Sequence, residues 1–201
     1  MLVLRTVRDA LTTVALLVVL IGAGGRAVGV IIGHVRTLLR RQQFRTLRFG
    51  WAEFVTVFEP FLLGAAAFIF ARTPRSVASG TGLVALVAGA IIVLCGYGLL
   101  FWAFWSWPAL FVGHAILPDH QVIRTGVYGV VRHPVYLAAF LIWLGLGIAF
   151  RSRGVVALTV LYVIPAYLAY IRSEERMMRE EFGDTYRDYC RDVPGLIPRL
   201  R

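Results

Sequence analysis

Residues 134–171 read PVYLAAFLIWLGLGIAFRSRGVVALTVLYVIPAYLAYI, two apolar runs separated by the short polar linker RSRG at 151–154. A helix that crosses a bilayer needs about 20 largely apolar residues. Each run approaches that length, and a four-residue linker leaves room only for a tight reversal. The stretch therefore predicts an antiparallel hairpin of two membrane-spanning helices, at residues 134–150 and 154–171.

The rest of the chain also has the composition of a membrane protein. Of its 201 residues, 59% are hydrophobic and 16% are charged, whereas a soluble domain carries about 25% charged residues. Further apolar runs predict three more spans, at about 10–33, 52–71 and 80–104. The predicted fold class is all-α, a multi-pass transmembrane helical bundle of about five helices that forms a single integral membrane domain over residues 1–201.

The arginine distribution predicts how the bundle is oriented. All 21 basic residues are arginine, against 11 acidic residues, and the formal net charge is +10. Residues 34–51, 105–133 and 172–201 carry fourteen of these arginines, and the opposite connecting segments carry six. Because cytoplasmic loops are rich in basic residues, we expect a cytoplasmic C-terminus. The arginine-only composition indicates a bacterial protein, and hence a bacterial inner membrane. The positive charge then faces anionic lipid headgroups, and no nucleic-acid partner is expected.

Polar groups interrupt the N-terminal spans. Arg26 lies in the first apolar run, and Glu53 and Glu59 lie in the second. Ionisable residues within a bilayer usually face the interior of the bundle. The basic stripe at 36–48 is typical of an amphipathic helix at the headgroups. The aromatic cluster at 101–111, FWAFWSWPALF, is typical of the membrane interface or lines an entrance for a lipid substrate.

The first segment whose residues could form a functional site is 120–136, HQVIRTGVYGVVRHPVY. It predicts an extended piece, a turn at 125–126, and a helix that begins at Arg132, His133 and Pro134. Proline suits the first turn of a helix, and the free amides there can receive polar or anionic groups. The alternative is that these residues are interfacial side chains and an ordinary helix start.

A second segment is 172–189, RSEERMMREEFGDTYRDY, which continues the last span beyond its apolar part. Charges of alternating sign are typical of a solvated helix, and Gly183 can end it. Glu174 and Glu175 come directly at the bilayer exit, where carboxylates oppose the helix dipole. We therefore expect these two residues to have a further role.

Together the two segments carry a family pattern. Its elements are His-x-Val-Ile-x-x-Gly-x-Tyr at 120–128, Arg-His-Pro-x-Tyr at 132–136, Glu-Glu at 174–175, Phe-Gly-x-x-Tyr at 182–186 and Val-Pro-x-x-Ile-Pro at 193–198. In order and spacing this resembles the isoprenylcysteine carboxyl methyltransferase family, and phospholipid methyltransferases share parts of it. The resemblance implies N-terminal transmembrane helices at 1–112 and a methyltransferase-like catalytic core at 113–201, with a cytoplasmic pocket for S-adenosyl-L-methionine.

The resemblance also implies site residues. The cofactor-binding set would be His120, Gln121, Val122, Ile123, Tyr128, His133, Pro134, Val135, Tyr136 and Glu174. The catalytic candidates are Arg132, His133, Arg172 and Glu175. An arginine could orient a carboxylate acceptor, whereas His133, His114 or Glu175 could take a proton from a thiol, phenol or amine.

Two positions depart from the family pattern. Members carry a glutamine upstream of the first element, where this chain has Gly113 and His114. They also place an arginine four residues before the cofactor glutamate, where this chain has Tyr170. Arg172 lies about 200° away from that position on an ideal helix. The acceptor is therefore open, from a prenylated protein to a small lipid, isoprenoid acid, phenol or thiol.

The predicted function is that of an integral membrane methyltransferase that uses S-adenosyl-L-methionine and acts on a lipophilic small molecule or a prenylated acceptor. Its expected partners are membrane lipids and that acceptor. Because the two cysteines, Cys95 and Cys190, lie far apart in unlike segments, no metal site or disulfide is expected. One alternative is an NADPH-dependent membrane reductase, with Arg132, Arg172 and Arg176 around the 2′-phosphate. Another is a non-catalytic scaffold or transporter subunit that uses the polar residues inside the first two spans.

Overall fold

The computed structural model of the chain is predominantly helical. It describes residues 2–39, 46–47, 58–59, 61–66, 68–69, 80–107, 115–116 and 120–198. Its helices are α1 (Leu2–Leu39), α2 (Gly80–Ser106), α3 (Pro134–Ala149), α4 (Arg153–Leu158) and α5 (Ile164–Asp192). Two short strands, β1 (Thr46–Leu47) and β2 (Ala115–Ile116), pair antiparallel, with Thr46 opposite Ile116. The helical fold class is thus confirmed, with this small pairing added to it.

The predicted hairpin reversal is confirmed at the end of α3. Arg151 adopts a positive φ of 49°, and the Ser152 amide donates to the carbonyl of Gly147 at 2.9 Å. The Ser152 hydroxyl then accepts from the Val155 amide at 3.3 Å. A serine in this position satisfies an amide that the first turn of α4 leaves unpaired, so the chain reverses within three residues.

The second arm of the hairpin runs from α4 into α5 through one π turn, Thr159–Val163. The Ile164 amide bonds to the Thr159 carbonyl, and the turn lies just before Pro165, which has no amide hydrogen to donate. Gly183 has φ 53° and ψ −124°, so it interrupts the helix, which resumes as far as Asp192. The break in the helix thus falls at Gly183, where the sequence allowed one, and a second helical stretch follows it.

Two helices of the described part are long and apolar enough to cross a bilayer, Gly82–Ser106 and Arg153–Asp192, and Pro134–Ala149 is a shorter apolar helix. Their outward faces carry large apolar side chains, with Leu161 77% and Trp105 75% exposed. Such faces fit a lipid environment. The count of five spans stays a prediction, and α1 is longer than the predicted 10–33.

Several predictions fall on residues that the structure does not describe. They concern Glu53 and most of the 52–71 span, the upstream positions Gly113 and His114, and the side chains of Arg26 and of the 36–48 stripe.

Helices α2 and α3 meet through glycines. A Cβ atom at Gly89 would lie 2.4 Å from the Ala149 amide nitrogen, and one at Gly145 would lie 2.8 Å from the Gly89 carbonyl oxygen. Gly96 is similarly close to Ile142. Small residues let helix backbones approach closely, which is a common way for helices to associate in membranes. This contact places the N-terminal end of α3 beside the C-terminal part of α2.

Glu59 is a buried carboxylate inside the apolar core. Its side chain is 2% exposed and accepts hydrogen bonds from the Trp143 indole nitrogen and, at 3.0 Å, from the Tyr167 hydroxyl. A buried polar group is tolerated when it is hydrogen-bonded. Glu59, one of the polar residues noted in the 52–71 run, therefore faces the interior of the described helices.

Candidate functional site

A cavity lies where α3 begins and where α5 leaves its apolar part. The loop 120–133, the first turn of α3, the polar half of α5 and the end of α2 form its walls. Its lining residues are Trp107, His120, Val122, Ile123, Tyr128, Arg132, His133, Pro134, Val135, Tyr136, Tyr170, Glu174, Met177, Met178, Tyr186 and Tyr189.

A 3-10 turn, Gly126–Gly129, aims Tyr128 into this cavity. Gly126 has φ 59°, and a Cβ atom there would lie 2.2 Å from the Ser106 hydroxyl oxygen. That hydroxyl accepts from the Val127 amide at 3.2 Å. Glycine is favoured both by the positive φ and by the close approach. The turn is thereby fixed to the end of α2, and Val127 and Tyr128 are buried.

Arg132 joins the loop to both α5 and the C-terminal tail. Its Nε and Nη2 atoms donate to Glu175 Oε1 at 3.1 and 2.6 Å. Its Nη1 atom donates to the carbonyls of Cys190 at 3.1 Å and Val193 at 2.5 Å. The planar guanidinium presents its donors in a rigid fork. One side chain therefore links its own loop to α5 and to the C-terminal tail. We call this arrangement the Arg132 clamp.

Further bonds close the tail over the cavity. The Arg132 amide donates to the Pro194 carbonyl at 2.9 Å, and the His133 amide donates to the Gly195 carbonyl at 3.0 Å. The Tyr189 hydroxyl donates to the Tyr128 carbonyl at 2.7 Å. The loop and the folded-back tail therefore share one cavity, with His133 and Glu174 both on its wall.

The adjacent carboxylates Glu174 and Glu175 have different surroundings. Glu174 lines the cavity, and its Oε2 atom accepts from the Tyr136 hydroxyl at 2.9 Å. Glu175 lies behind the wall, where it meets Arg132 and, at 2.5 Å, Arg179. Buried His133 stands between them, with Nδ1 3.6 Å from Glu174 and Nε2 3.0 Å from Glu175.

This arrangement shifts the pKa values of His133 and Glu175 in opposite directions. Burial alone would lower the pKa of His133, but the contacts of its ring nitrogens with Glu174 and Glu175 and the charges of both carboxylates raise the pKa above its usual value. Burial would raise the pKa of Glu175, but the bonds from His133 and Arg132 and their charges lower it to about 2. The cluster therefore favours an imidazolium between two carboxylates.

Two buried polar atoms on the wall, His120 Nδ1 and Tyr128 Oη, have no hydrogen-bond partner in the described part of the chain. Burial lowers the pKa of His120, against the nearby charges of Glu174 and Glu181. Burial also raises the pKa of Tyr128, an effect that the charge of Glu174 reinforces. At neutral pH the site thus offers an uncharged imidazole and a phenolic hydroxyl to a ligand.

Aromatic rings cover much of the remaining wall. Tyr136 lies 5.6 Å from Tyr170 and 5.7 Å from His133, measured between ring centroids. Trp107 packs edge-on against Tyr128 at 6.3 Å. Ring faces attract positively charged groups, most strongly where water is excluded. The cavity is therefore suited to a ligand that combines flat, cationic and polar parts.

Nine of the ten residues predicted to bind a cofactor line the cavity, and the tenth, Gln121, is exposed outside it. Among the catalytic candidates, Arg132 and His133 line the cavity and Glu175 supports them from behind. Arg172 is exposed and lines a separate groove on the outer face of α5.

Six lining residues were not predicted as site residues: Trp107, Tyr170, Met177, Met178, Tyr186 and Tyr189. The sequence carried a signal for some of them. Trp107 belongs to the aromatic cluster, and Tyr186 closes the Phe-Gly-x-x-Tyr element. Tyr170 carries no such signal beyond its departure from the family pattern.

Comparison with known proteins places this region in a family context. The family model for phospholipid methyltransferases matches residues 84–185. The chain is 33% identical over 94 residues, 47% of its length, to the nickel-cobalt-cadmium resistance protein NccN of Alcaligenes xylosoxydans xylosoxydans, of which it covers 43%.

Two named methyltransferases are also similar. The chain is 32% identical over 82 residues to the protein-S-isoprenylcysteine O-methyltransferase of Schizosaccharomyces pombe, covering 41% of the chain and 35% of that protein. It is 40% identical over 85 residues to methanethiol S-methyltransferase 2 of Bradyrhizobium diazoefficiens, covering 40% of the chain and 30% of that protein. The chain thus spans less than half of each relative, and the resemblance inferred from the motifs is confirmed.

Proposed function

Because this chain belongs to the phospholipid methyltransferase family, we propose that it is an integral membrane methyltransferase that uses S-adenosyl-L-methionine and acts on a lipophilic small molecule. The observation that carries this proposal is the cavity wall, where His120 Nδ1 and Tyr128 Oη are buried without a described hydrogen-bond partner. Native proteins rarely leave buried polar atoms unpaired. A polar ligand would supply the missing bonds.

The residues present fit S-adenosyl-L-methionine. Glu174 would hold its ammonium group, because a carboxylate on the wall is complementary to that charge. The rings of Tyr136 and Tyr170 would face the flat and cationic parts, and His120 and Tyr128 would bond its polar edges. When bound, this cofactor supplies a methyl group that is already activated on a sulfonium sulfur.

The residues of the chain itself would orient the reacting groups and exclude water from the cavity. The Arg132 clamp closes the tail over the cavity, and orientation in a dry site accelerates a displacement without any strong acid or base. We assign His133 and Glu175 positioning roles. Both ring nitrogens of His133 face carboxylates, so it would hold Glu174 in place by keeping its proton.

For the acceptor, we propose a neutral thiol, phenol or amine rather than a carboxylate. The acceptor's proton would go to the uncharged imidazole of His120, which lines the cavity. The family position for a substrate-binding arginine is Tyr170, whose ring packs on Tyr136. Among the described residues that line the cavity, Arg132 is the one guanidinium, and it is engaged by Glu175 and two carbonyls. One relative is named a methanethiol S-methyltransferase. A thiol acceptor is compatible with a cavity wall whose arginine is already engaged by other groups.

The two alternative functions are less well supported. A reductase would need cations that converge on a phosphate, but Arg132 lines the cavity while Arg172 and Arg176 line the outer groove. A scaffold or transporter would use Glu59, which is instead held by Trp143 and Tyr167. We propose that the site lies at the cytoplasmic face of the membrane, because the segments expected on that side carry fourteen arginines. We propose a bacterial inner membrane because every basic residue is arginine.

The central test is Glu174→Gln, with S-adenosyl-L-methionine affinity measured by calorimetry on the purified protein. Loss of a charged hydrogen bond of about 1.5–3 kcal/mol predicts a 10-fold to 100-fold weaker affinity. The matched control is Asp184→Asn, which changes an exposed carboxylate on the same helix and should leave the affinity unchanged. Unchanged affinity in Glu174→Gln, with thermal stability retained, would remove the site assignment.

A second variant pair tests whether the unpaired hydroxyl binds the ligand. Tyr128→Phe should leave thermal stability unchanged and weaken cofactor affinity about fivefold, because its hydroxyl bonds nothing in the described chain. Tyr189→Phe should instead lower stability by about 1 kcal/mol, since it loses the bond to the Tyr128 carbonyl. A radiolabelled methyl-transfer assay on native lipid extract would then identify the acceptor.

A further inference from the structure

The outer face of α5 carries a second groove, on the far side of the helix from the aromatic cavity. It is lined by Arg172, Glu175, Arg176, Arg179, Glu180, Gly183 and Arg187. Arg172, Arg176 and Arg179 follow one another at spacings of four and three, so they form one stripe along the helix. The methyl-transfer site uses none of these three arginines directly. We call them the arginine stripe.

The groove carries a net positive charge, because four arginines and two glutamates line it. Arg179 bonds to Glu175 at 2.5 Å, and Arg187 bonds to Asp184 at 2.6 Å. The other oxygen of Glu175 already accepts from Arg132 and His133. In the part of the chain that the structure describes, Arg172 and Arg176 are exposed and take part in no ion pair.

The depth of the stripe relative to the apolar span indicates its ligand. The apolar run ends at Ile171, directly before Arg172. A bilayer's headgroup layer is about 5–7 Å thick on each side, and Arg172 and Arg176 are separated by about 6 Å along a helix. Both arginines therefore lie at headgroup depth when the apolar run fills the hydrocarbon core.

We propose that Arg172 and Arg176, with Arg179 at the edge, bind the phosphate of an anionic lipid headgroup. Guanidinium groups match phosphate oxygens in both charge and geometry. A lipid is favoured over a soluble phosphate because the stripe begins where the lipid-facing surface ends. The proposal does not depend on the methyl-transfer function, because the lipid would bind outside the cavity.

The test uses the double variant R172Q/R176Q. Arg179 is left unchanged because it also bonds to Glu175, which supports the cavity wall. The matched control is R151Q/R153Q, which removes two exposed arginines from the other end of the hairpin. Both variants lose the same charge, so a general effect of net charge would affect them equally.

Thermal stability is measured in neutral detergent while phosphatidylglycerol is added, since a ligand that binds only the folded state raises the melting temperature. We expect wild type and R151Q/R153Q to respond alike. R172Q/R176Q should need at least about tenfold more lipid for the same rise, because each arginine near an anionic surface contributes about a fivefold affinity. Cofactor affinity in the same preparations should not change.

Three results would overturn the proposal. One is an equal lipid response in the two double variants, and another is no response in wild type. The third is an equal rise with glycerol phosphate at the same concentration, which would identify a soluble phosphate ligand. If R172Q/R176Q does not fold, Arg172→Gln replaces it, with about a fivefold shift expected and Arg151→Gln as its control.

Discussion

The interface between α2 and α3 and the Arg132 clamp hold the same molecule together in different ways. The interface depends on glycines, and a Cβ atom at Gly89 would lie 2.4 Å from a neighbouring backbone nitrogen. The clamp depends on charge, with Arg132 bonded to Glu175 and to the carbonyls of Cys190 near the end of α5 and Val193 in the tail. The interface requires positions without a side chain, and the clamp requires several polar partners at once.

The difference shows what each region can tolerate. Where two backbones are in close contact, even one added methyl group must displace neighbouring atoms, because the interior has few voids that could accommodate it. A clamp of charged hydrogen bonds loses much of its stability when one partner is removed, because the other charge is left buried without compensation. The glycine interface therefore sets the positions of the helices, whereas the clamp decides whether the cavity is closed.

The largest loss of stability is expected from Gly89→Ala at the interface between α2 and α3. The new methyl group would displace backbone atoms of α3, and we expect a loss of several kcal/mol or of folded protein. The control is Gly98→Ala on the same helix, where a Cβ atom meets nothing within 4 Å. It should be neutral or slightly stabilising. Equal melting temperatures for the two variants would contradict the close approach.

A smaller effect is expected from Arg132→Gln in the clamp. Removing one partner of a largely buried ion pair costs about 3 kcal/mol, and the tail should become sensitive to protease. The exposed pair of Arg191 with Asp188 provides the control, because Arg191→Gln should leave stability and proteolysis unchanged. If the tail of Arg132→Gln remains resistant to limited proteolysis, the clamp does not hold it.

The smallest expected effect is the pH dependence of stability. The raised pKa of His133 gives a stabilisation that is fully present below pH 6.5 and is lost as pH rises through the folded-state pKa. The lowered pKa of Glu175 gives a stabilisation present above pH 4.5 and lost as pH falls towards 2. Melting temperature should therefore be highest between these limits.

The variant His133→Gln separates the two contributions. It removes the group that titrates on the alkaline side, so the decline of melting temperature above pH 6.5 should disappear. The acid-side decline should remain, since Arg132 still bonds to Glu175. A wild-type melting temperature that does not change between pH 6 and pH 9 would contradict an imidazolium between the two carboxylates.

Much of the site could be predicted because the motifs are short and local. The turn before α3 needs a glycine at position 126, and Pro134 marks the helix start, so the loop and the first turn of α3 could be placed from the sequence. Gln121 was the exception, because its side chain is exposed while His120 and Val122 on either side line the cavity. Ile123 lines the cavity as well, so no simple alternation along the segment identifies Gln121.

The roles of the charged residues were harder to predict. Glu174 and Glu175 are adjacent, and a helix turns about 100° per residue, so one faces the cavity and the other faces the clamp. Which one does so depends on how α5 is rotated against α3. The same rotation puts Arg172 on the outer face, and the sequence contains no local signal for it.

The sequence by itself determined the apolar helices, the tight hairpin between α3 and α4, and the family pattern, because apolar periodicity and turn chemistry act over a few residues. Tertiary structure alone decided that Arg132 closes the tail, since its carbonyl partners lie 58 and 61 residues further along the chain. Hydrogen bonds over such separations depend on how the tail folds back, and no local pattern specifies that.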